Sequence, residues 1–532
     1  MKITRKVVVG VACMGAIAGF SIVGGTASAD PSGAPTYRVM SVMGSDTTQD
    51  VMNGFAGDVT ASGSNYKYTG LLWEAITISD TTIKTSLGGL VANDVITIQD
   101  GASGGANSEQ VTIVSLDSSP TANTLSTNTG TGNAVPYYTY TVTRASNSTT
   151  AVAHAANSVV IGGFVANGTK VLASYNSQGG AVQVKAQANC AYIANNSGSG
   201  DKYVGTTQNN SVQASATANS TYLSGGRANG SGNGARSMAD AFTKTNGMWG
   251  CIDAGRASSK RSSVSGLGAG NTVNIPFALD AVAFAVTTTS NFTRTLSPTD
   301  IRAIYRCTYS GMIPASGGSA TYSVANRTLN GSSIQNYAAA NSLLYATLPQ
   351  AGSGTRDFVV TALGLSTNLS ATSGDTGAAC ITDKTPTGGV LEEHNLVTLD
   401  DNGIGVTSIA QSITQREQSP TTGVTDRQGR TVLVALDNRA ASNNSTTYGN
   451  GQVNYPTTMT VQFGGGSGTT SGAMVMWREV FNAVPLARLS DPNIQAMFVG
   501  TGSSICTDAN GVKQQYGFAA MPSGCGATTN LG

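Results

Sequence analysis

The chain has 532 residues, enough for about two to four domains with a large buried core. Charged residues make up only 11% of it and the formal net charge is +1. This balance provides no electrostatic field to steer nucleic acid or an anionic membrane surface, so neither is an expected partner. The 66 glycines suit a loop-rich exported protein, while 40% hydrophobic residues argue against disorder over most of the length.

The N-terminus is typical of a secretory signal peptide, residues 1–29. Basic residues precede an apolar segment, and small residues stand before a cleavage site between Ala29 and Asp30. An uncleaved membrane anchor is the alternative. Cys13 lies inside the apolar segment, with Gly10 where a lipobox normally has an aliphatic residue, so we expect no lipid anchor. No other stretch is long and apolar enough to span a bilayer. The expected product is a secreted, extracellular protein.

Removal of the signal leaves six cysteines: Cys190, Cys251, Cys307, Cys380, Cys506 and Cys525. An even number of cysteines in an exported chain predicts disulfides, although the sequence leaves their pairing open. Joining sequence neighbours gives Cys190–Cys251, Cys307–Cys380 and Cys506–Cys525. A metal site is the alternative, but no CxxC spacing supports one.

The first element after the signal is a short buried strand, predicted for residues 37–43. It runs into the turn GSDTT, Gly44 to Thr48, where Ser or Asp can cap a helix that carries Val51 and Phe55. Strand, glycine turn and helix form the α/β arrangement that places ligands at strand C-termini.

From about Trp73 to Ile161 the sequence predicts a small all-β module. Apolar and polar residues alternate with period two between Gly, Asn and Ser clusters. The segment contains, in order, Asp80-Thr81-Thr82, Asn93-Asp94-Val95-Ile96, Glu109-Gln110-Val111, Thr141-Val142-Thr143-Arg144, Ser148-Thr149-Thr150-Ala151 and His154. On these motifs it resembles a β domain of phage structural and other surface proteins, which implies recognition or spacing and no chemistry. His154 is interpreted as structural.

Three further glycine turns accompany GSDTT. They are NGSGNG (Asn229 to Gly234), DAGRASS (Asp253 to Ser259) and GSGTR within LPQAGSGTRDF (Leu348 to Phe358). Glycines let backbone N–H groups approach a ligand, hydroxyls donate further hydrogen bonds, and a following helix N-terminus favours negative charge. The four turns together predict binding of a small anion. The alternative is ordinary loop punctuation in a glycine-rich chain.

The second half of the chain carries clearer signals for strands and helices. The apolar run Ile275 to Val286 predicts a buried strand, since it is too short to span a membrane. Ser297 as N-cap, Pro298 at the first helical position and Asp300 predict a helix start. The segment from Met474 to Pro485 fits a helix or a strand equally.

The order of these motifs resembles the type 2 class of periplasmic substrate-binding proteins, phosphate-binding branch. The motifs that carry the resemblance are GSDTT, RANGSGNG, IDAGRASS, DAVAFAV, LSPTDIRAIYRC and GSGTR, and EEHNL followed by GIGVTSIAQSI is similar to actinobacterial members. The resemblance implies two mixed-sheet α/β lobes joined by hinge strands and closing on a ligand, with the all-β module inserted. The expected parts are the signal 1–29, the first lobe 36–72 and 164–282, the β module 73–163, the second lobe 283–430 and a return to the first lobe over 431–532.

Carried over by position, the resemblance implies a ligand set from both lobes. Arg356 adds a bidentate charge-assisted contact. The implied ligand is a small inorganic anion, with phosphate favoured, and no cofactor, metal or catalytic residue is expected in a monomeric protein. The set is Ser45, Thr47, Thr48, Ser231, Gly232, Arg256, Ser259, Ser353, Gly354, Thr355 and Arg356.

The chain departs from the family pattern at three positions. Phosphate binders commonly place an Asp where Ser259 stands, and that Asp accepts the proton of hydrogen phosphate. Some members carry an Arg where this chain has Pro349, while Arg256 is an extra cation. These departures favour a fully ionised anion or a different ligand.

The absent lipid anchor keeps other functions open. A receptor for an ABC-type permease normally needs a tether, so a released protein suggests scavenging, storage, adhesion or signalling. One alternative is an adhesion or structural protein that has lost solute binding and contacts a cell surface or polymer through the β insert. A hydrolase using Glu392 or Glu393 is disfavoured, because the chain has two histidines and no Ser-His-Asp or HExxH pattern. Glu392 to His394 are predicted to form a surface turn or an inter-lobe contact.

Overall fold

The computed structural model describes residues 38–100, 107–118, 137–175, 184–185, 203–204, 207–209, 226–243, 249–250, 252–290, 292, 295–306, 344–365, 381–383, 385, 391–417, 419–436, 462–463 and 474–532. The predicted signal lies outside them, as do Cys190, Cys251, Cys307 and Cys380, so the signal and the two pairings of these cysteines stay predictions.

The strands of the described residues form one large sheet, one smaller sheet and several two-stranded pairs. They are β1 Met40–Gly44, β2 Lys67–Leu71, β3 Thr82–Thr85, β4 Val95–Gln99, β5 Ser108–Ser118, β6 Tyr138–Thr143, β7 Val159–Phe164, β8 Leu172–Tyr175, β9 Val184–Lys185, β10 Tyr203–Val204, β11 Thr207–Asn209, β12 Gly226–Ala228, β13 Ala254–Ala257, β14 Thr272–Thr287, β15 Thr295–Leu296, β16 Tyr345–Thr347, β17 Ile381–Thr382, β18 Gly403–Ser408, β19 Thr431–Leu433, β20 Ala435–Leu436, β21 Gln462–Phe463, β22 Met474–Val475 and β23 Trp477–Pro485.

The helices of the same residues are short. They are α1 Gln49–Asp58, α2 Gly230–Thr243, α3 Pro298–Tyr305, α4 Gly354–Leu363, α5 Ile409–Arg416, α6 Ser419–Thr422, α7 Pro492–Phe498, α8 Ser504–Thr507 and α9 Val512–Gln515, with 3-10 turns at Ser146–Ser148 and Leu486–Arg488. Within the stretches that the structure describes, no helix has the length and apolar character needed to cross a membrane.

The large sheet has the strand order β17-β16-β18-β14-β23-β13-β1-β8, and β19 also pairs with β14. β1 is parallel to both of its neighbours, whereas β23 is antiparallel to β13 and β14. All 16 residues of β14 are buried, as its apolar sequence predicts. β14 pairs with β23 from Thr272 to Ala281 and with β18 from Val282 to Val286.

Two hydrophobic cores divide this sheet into two lobes. The first-lobe core joins β1, β8, β13, β23 and the start of β14 to α1 and the C-terminal helices, and includes Val42, Phe55 and Ile275. The second-lobe core joins the end of β14 to β16, β17, β18, α3 and α4, and includes Phe284 and Val360. The expected fold class, a two-lobed α/β fold with an inserted all-β module, is confirmed.

The β module is a six-stranded antiparallel sheet in the order β2-β7-β4-β5-β6-β3, with a core of its own. The sheet begins with β2 at Lys67 and ends with β7 at Phe164. His154 is buried in the module, where its Nδ1 lies 3.1 Å from Asp100 Oδ1 and its Nε2 lies 3.4 Å from Glu109 Oε2. These contacts agree with the structural interpretation of this histidine.

Several local predictions are confirmed. Ser297 caps α3, with Asp300 completing a reciprocal capping box and Pro298 at the first helical position. Cys506 and Cys525 form a disulfide with a Cα–Cα distance of 5.8 Å. The ambiguous segment before Pro485 is the strand β23. The predicted Ser or Asp cap of α1 is wrong, because Thr48 takes the N-cap position without a side-chain cap bond.

Candidate functional site

The glycine turns of the two lobes pack backbone against backbone. Gly230 has φ +83, and a Cβ there would lie 2.7 Å from the Gly352 carbonyl oxygen. The Gly232 N–H donates to that same oxygen at 3.0 Å. A Cβ on Gly354 would lie 2.5 Å from Ser231 Oγ. Only glycine permits this approach, so the second and fourth predicted turns meet at the boundary between the lobes.

The first and third turns join the same cluster. A Cβ on Gly44, at the end of β1, would lie 2.5 Å from the Arg256 carbonyl oxygen, which accepts a hydrogen bond from the Ser45 N–H at 3.0 Å. Ser258 N donates to Ser231 Oγ at 2.9 Å and ties the third turn to the second. The four sequence-predicted turns therefore converge in space.

The carboxylate of Glu393 lies at the meeting point of the lobes and is 1% exposed. Its Oε1 accepts hydrogen bonds from the N–H and the Oγ1 of Thr47, at 3.1 and 2.5 Å. Its Oε2 accepts from Ser353 Oγ at 3.2 Å. Thr47 belongs to the first lobe, while Ser353 and Glu393 belong to the second, so one carboxylate bridges the cleft.

Ser353 is positioned by the start of α4. It is the N-cap residue, and its hydroxyl oxygen accepts from the N–H groups of Thr355 and Arg356. Because the oxygen is occupied as an acceptor, its proton is available to donate to Glu393. The capping requirement of the helix therefore aims an O–H donor into the cleft.

Arg478 supplies the positive charge of the site. Its Nη2 donates to Thr47 Oγ1 at 3.2 Å, to Thr355 Oγ1 at 2.8 Å and to Asp280 Oδ2 at 2.9 Å. Arg478 lies opposite Asp280 in the β23–β14 register, and burial raises the pKa of that carboxyl against the opposing effect of Arg478. We call Thr47, Ser353, Thr355 and Arg478 the cradle. Thr47 and Ser353 donate hydrogen bonds to the Glu393 carboxylate, and Thr355 and Arg478 contact the hydroxyl of Thr47.

The cradle is surrounded by a second set of buried inter-lobe hydrogen bonds. Gln350 Nε2 donates to Asp46 Oδ2 at 3.2 Å and to Asn229 Oδ1 at 2.7 Å, and Asn229 Nδ2 donates to Glu392 Oε1 at 3.0 Å. Glu392 Oε2 lies 3.4 Å from His394 Nε2. Burial holds the pKa of His394 well below its usual range, so its imidazole is neutral at pH 7. The predicted inter-lobe contact of this segment is found, whereas a surface turn is not.

The two predicted arginines lie outside the cradle. Arg356 is fully buried, and its Nη1 forms an ion pair with Asp383 Oδ2 at 2.9 Å. Arg256 Nη1 donates to Ser174 Oγ at 2.5 Å, beneath the first turn. Both guanidinium groups are thus used within the framework of their own lobes.

Thr48, Ser45 and Ser259 are the remaining predicted residues. Thr48 Oγ1 lies 3.4 Å from the Ser45 carbonyl oxygen within its own turn. Ser45 Oγ is buried and has no hydrogen-bond partner among the described residues. Ser259 Oγ accepts from Arg261, whose Nη2 also lies 2.8 Å from Asp357 Oδ2. This second contact is a further bond between the lobes.

An open groove of about 360 Å³ lies beside α4. It is lined by residues 259–263 and by Asp357, Phe358 and Thr361. Lys260 and Arg261 give one edge positive charge. The Phe358 ring also contacts Arg478, with 5.5 Å between the ring centroid and Cζ. Phe358 is therefore shared between the wall of the groove and the surroundings of Arg478.

Sequence reasoning missed Glu393 and Arg478 as members of the site. The structure places Arg478 on the buried side of β23 together with Val480, where a charge needs a buried partner, but the sequence left this segment open between helix and strand. In the part of the chain that the structure covers, no cluster of three or more His, Cys, Asp or Glu residues could hold a metal ion.

No protein-family model matches the sequence, and no curated protein matches it significantly. Among solved structures the chain is similar to a putative phosphate ABC transporter substrate-binding protein with bound phosphate from Clostridium perfringens, at 13% identity, 56% and 88% coverage of this chain and that one, and a TM-score of 0.30. It is similar to an ABC-type phosphate transport receptor from Vibrio cholerae at 12% identity, 55% and 87% coverage and a TM-score of 0.29. A phosphate-binding protein from Stenotrophomonas maltophilia matches at 12% identity, 56% and 84% coverage and a TM-score of 0.31. These identities and TM-scores are too low to assign a ligand to this chain.

Proposed function

We propose that the protein is an exported solute-binding protein that holds a small oxyanion, with phosphate the favoured ligand, between its two lobes. One observation carries the proposal: N–H and O–H donors from both lobes already surround the oxygens of one carboxylate, that of Glu393. Donors that coordinate a carboxylate in a closed cleft present the same chemistry to a free oxyanion of similar size.

Two donors of the site residues have no acceptor in the described part of the chain. Ser45 Oγ, as noted, and Arg478 Nη1 are both buried without a hydrogen-bond partner among the described residues. A buried donor left without an acceptor costs free energy, so an additional acceptor beside either group would be stabilising.

The test is a calorimetric titration of residues 30–532 with phosphate, and with sulfate as a competing tetrahedral anion, after unfolding and refolding to remove carried-over ligand. We expect saturable heat with phosphate. Thr47→Val removes the hydroxyl that contacts Glu393, Thr355 and Arg478. Introduced together with Glu393→Gln, which removes the carboxylate already bonded to this hydroxyl, it should weaken binding roughly tenfold or more relative to Glu393→Gln alone, since a hydrogen bond to a charged group contributes about 1.5–3 kcal/mol.

The matched control is Thr414→Val. Thr414 is equally buried, but its hydroxyl donates to the Ala410 carbonyl oxygen within α5, away from the cradle. Phosphate affinity should be unchanged in this variant. Equal loss of affinity in both variants would point to general destabilisation and count against the cradle as the binding site.

A second candidate function is adhesion through the β module. The observation that favours it is that large apolar side chains of the module are exposed to solvent. Ile78, Val91 and Phe164 are 64%, 63% and 57% exposed. Leu71 and Val159 pair in the β2–β7 register, so residues 72–158 can be replaced by a short glycine turn that keeps this strand pair. Loss of binding to cells or polymers in that variant, with phosphate binding retained, would assign adhesion to the module. Retained adhesion would remove the module from consideration.

A further inference from the structure

Glu393 is a buried carboxylate between the lobes that is held by hydroxyl and N–H groups. We propose that Glu393 is an intramolecular ligand of the cradle, and that a free oxyanion binds only by displacing it. This inference rests on the proposed function of the cradle and adds a means of regulating that same site.

Two other buried carboxylates of the cleft region, those of Asp280 and Asp383, have arginine partners. Asp280 pairs with Arg478 at 2.9 Å, and Asp383 pairs with Arg356 at the same distance. No cation of the described residues lies within ion-pair distance of Glu393, which instead accepts the hydrogen bonds of the cradle. A buried charge needs such compensation, so the cradle donors are what keep this carboxylate in place.

A polar relay links the Glu393 carboxylate to positive charge indirectly. Arg478 Nη2 donates to Thr47 Oγ1, and Thr47 Oγ1 donates to Glu393 Oε1. The Thr47 hydroxyl has one proton, so it cannot donate to Glu393 and to a free anion at the same time. The Glu393 carboxylate and a free oxyanion therefore compete for the same donor.

The backbone of Glu393 is anchored independently of its side chain. Its carbonyl oxygen accepts from Thr407 Oγ1 at 3.0 Å, and the preceding Glu392 is bonded to Asn229. A side chain can thus leave the cradle while the chain segment remains in place. Because the competing group is tethered, its effective concentration is high, on the order of millimolar or above. Apparent affinity for a free anion is lowered accordingly.

The experiment compares the full mature chain with Glu393→Ala, titrated with phosphate, sulfate and acetate. We expect Glu393→Ala to bind phosphate at least tenfold more tightly than the unaltered protein, and to bind acetate, which restores the missing carboxylate. Glu393→Gln keeps the side-chain volume and removes only the charge, so it guards against a folding defect in the alanine variant. It too should bind phosphate more tightly.

The matched control is Glu392→Ala. This neighbouring carboxylate is also buried and also bridges the lobes, but its side chain contacts Asn229 and His394 rather than the donors of the cradle. Tighter anion binding in Glu392→Ala as well would mean that any loss of an inter-lobe carboxylate opens the cleft, and would overturn the specific role of Glu393.

The two proposals fail in distinguishable ways. If the unaltered protein binds phosphate and neither Glu393 variant binds it more tightly, the intramolecular ligand is refuted and the binding function stands. If no form binds any oxyanion while thermal unfolding shows all of them to be folded, the binding function fails and the intramolecular ligand fails with it.

Discussion

Substituting Arg478 by Met tests the electrostatic design of the cleft. Met keeps an unbranched apolar side chain beside Phe358 but leaves the fully buried Asp280 without its ion-pair partner. Removing one member of a buried pair costs about 3–5 kcal/mol, because the other charge stays buried and uncompensated. Asp280 retains hydrogen bonds from Ser408 Oγ at 2.8 Å and from the Ala410 N–H at 3.2 Å. We therefore expect the lower end, about 3 kcal/mol of unfolding free energy at pH 7.

The loss should depend on pH with a defined sign. Burial already raises the pKa of Asp280, and Arg478 opposes that shift. Without Arg478 the folded-state pKa rises further above the unfolded value. The folded protein then holds more protons than the unfolded chain between these two pKa values, so stability falls as pH rises through this window. The deficit of Arg478→Met should be smaller at pH 5 than at pH 7.

Urea unfolding with the disulfides intact measures this at both pH values. Adding Asp280→Asn to Arg478→Met removes the stranded charge and should recover most of the loss. The control is Arg430→Met, whose partner Asp401 lies 3.6 Å away and whose side chain is 67% exposed, so it should change stability by less than about 1 kcal/mol. A loss below about 1 kcal/mol in Arg478→Met, or no recovery in the double variant, would refute the reasoning.

Three further predictions test the cleft and its supports. Gly354→Ala places a Cβ within 2.8 Å of three serine hydroxyls of the first lobe, so it should lower the unfolding free energy by about 1–3 kcal/mol and weaken phosphate binding in calorimetry. The control is Gly57→Ala, whose Cβ would have no atom within 4 Å and should change neither quantity. Equal behaviour of the two variants would contradict the steric argument. Cys506→Ser and Cys525→Ser each break the same disulfide, which has a sequence separation of 19, so each should lower the free energy of unfolding in urea by about 3 kcal/mol. Unchanged stability would mean that this bridge does not constrain the unfolded chain. Because burial holds the pKa of His394 well below its usual range, the folded protein should lose stability as pH falls below about 6.5. His394→Gln should reduce this fall in the unfolding temperature with decreasing pH. An unchanged pH dependence in the variant would exclude this histidine as the cause.

Elements with a strong local signal were predictable from the sequence. The alternation of residues 82–85 and 95–99 is that of half-buried strands, and Ser297 with Asp300 forms the expected capping box. The conformation of the segment containing β23 was not predictable, because its apolar residues fit both the helical and the strand periodicity. Its conformation follows from pairing with β14, a contact that no local pattern encodes.

Some residues of the candidate site were predictable from the sequence and others were not. Its turns were predictable because glycine, serine and threonine have local reasons to occur there. Glu393 and Arg478 act through contacts with Thr47 across 346 and 431 positions of sequence, so no spacing rule could reveal them. Arg356 carried a plausible local motif, yet Asp383 lies 27 residues later and forms an ion pair with it in the fold.

The partner exchange along β14 has a mechanical consequence. The strand is paired with β23 up to Ala281 and with β18 from Val282, so it passes from one lobe to the other at this junction. Arg478 and Asp280 lie one register step from it, and the same guanidinium reaches Thr47 in one lobe and Thr355 in the other. The guanidinium that bonds to hydroxyls of both lobes therefore lies beside the strand junction, so a change in the lobe orientation at this junction would change which hydroxyls Arg478 can contact.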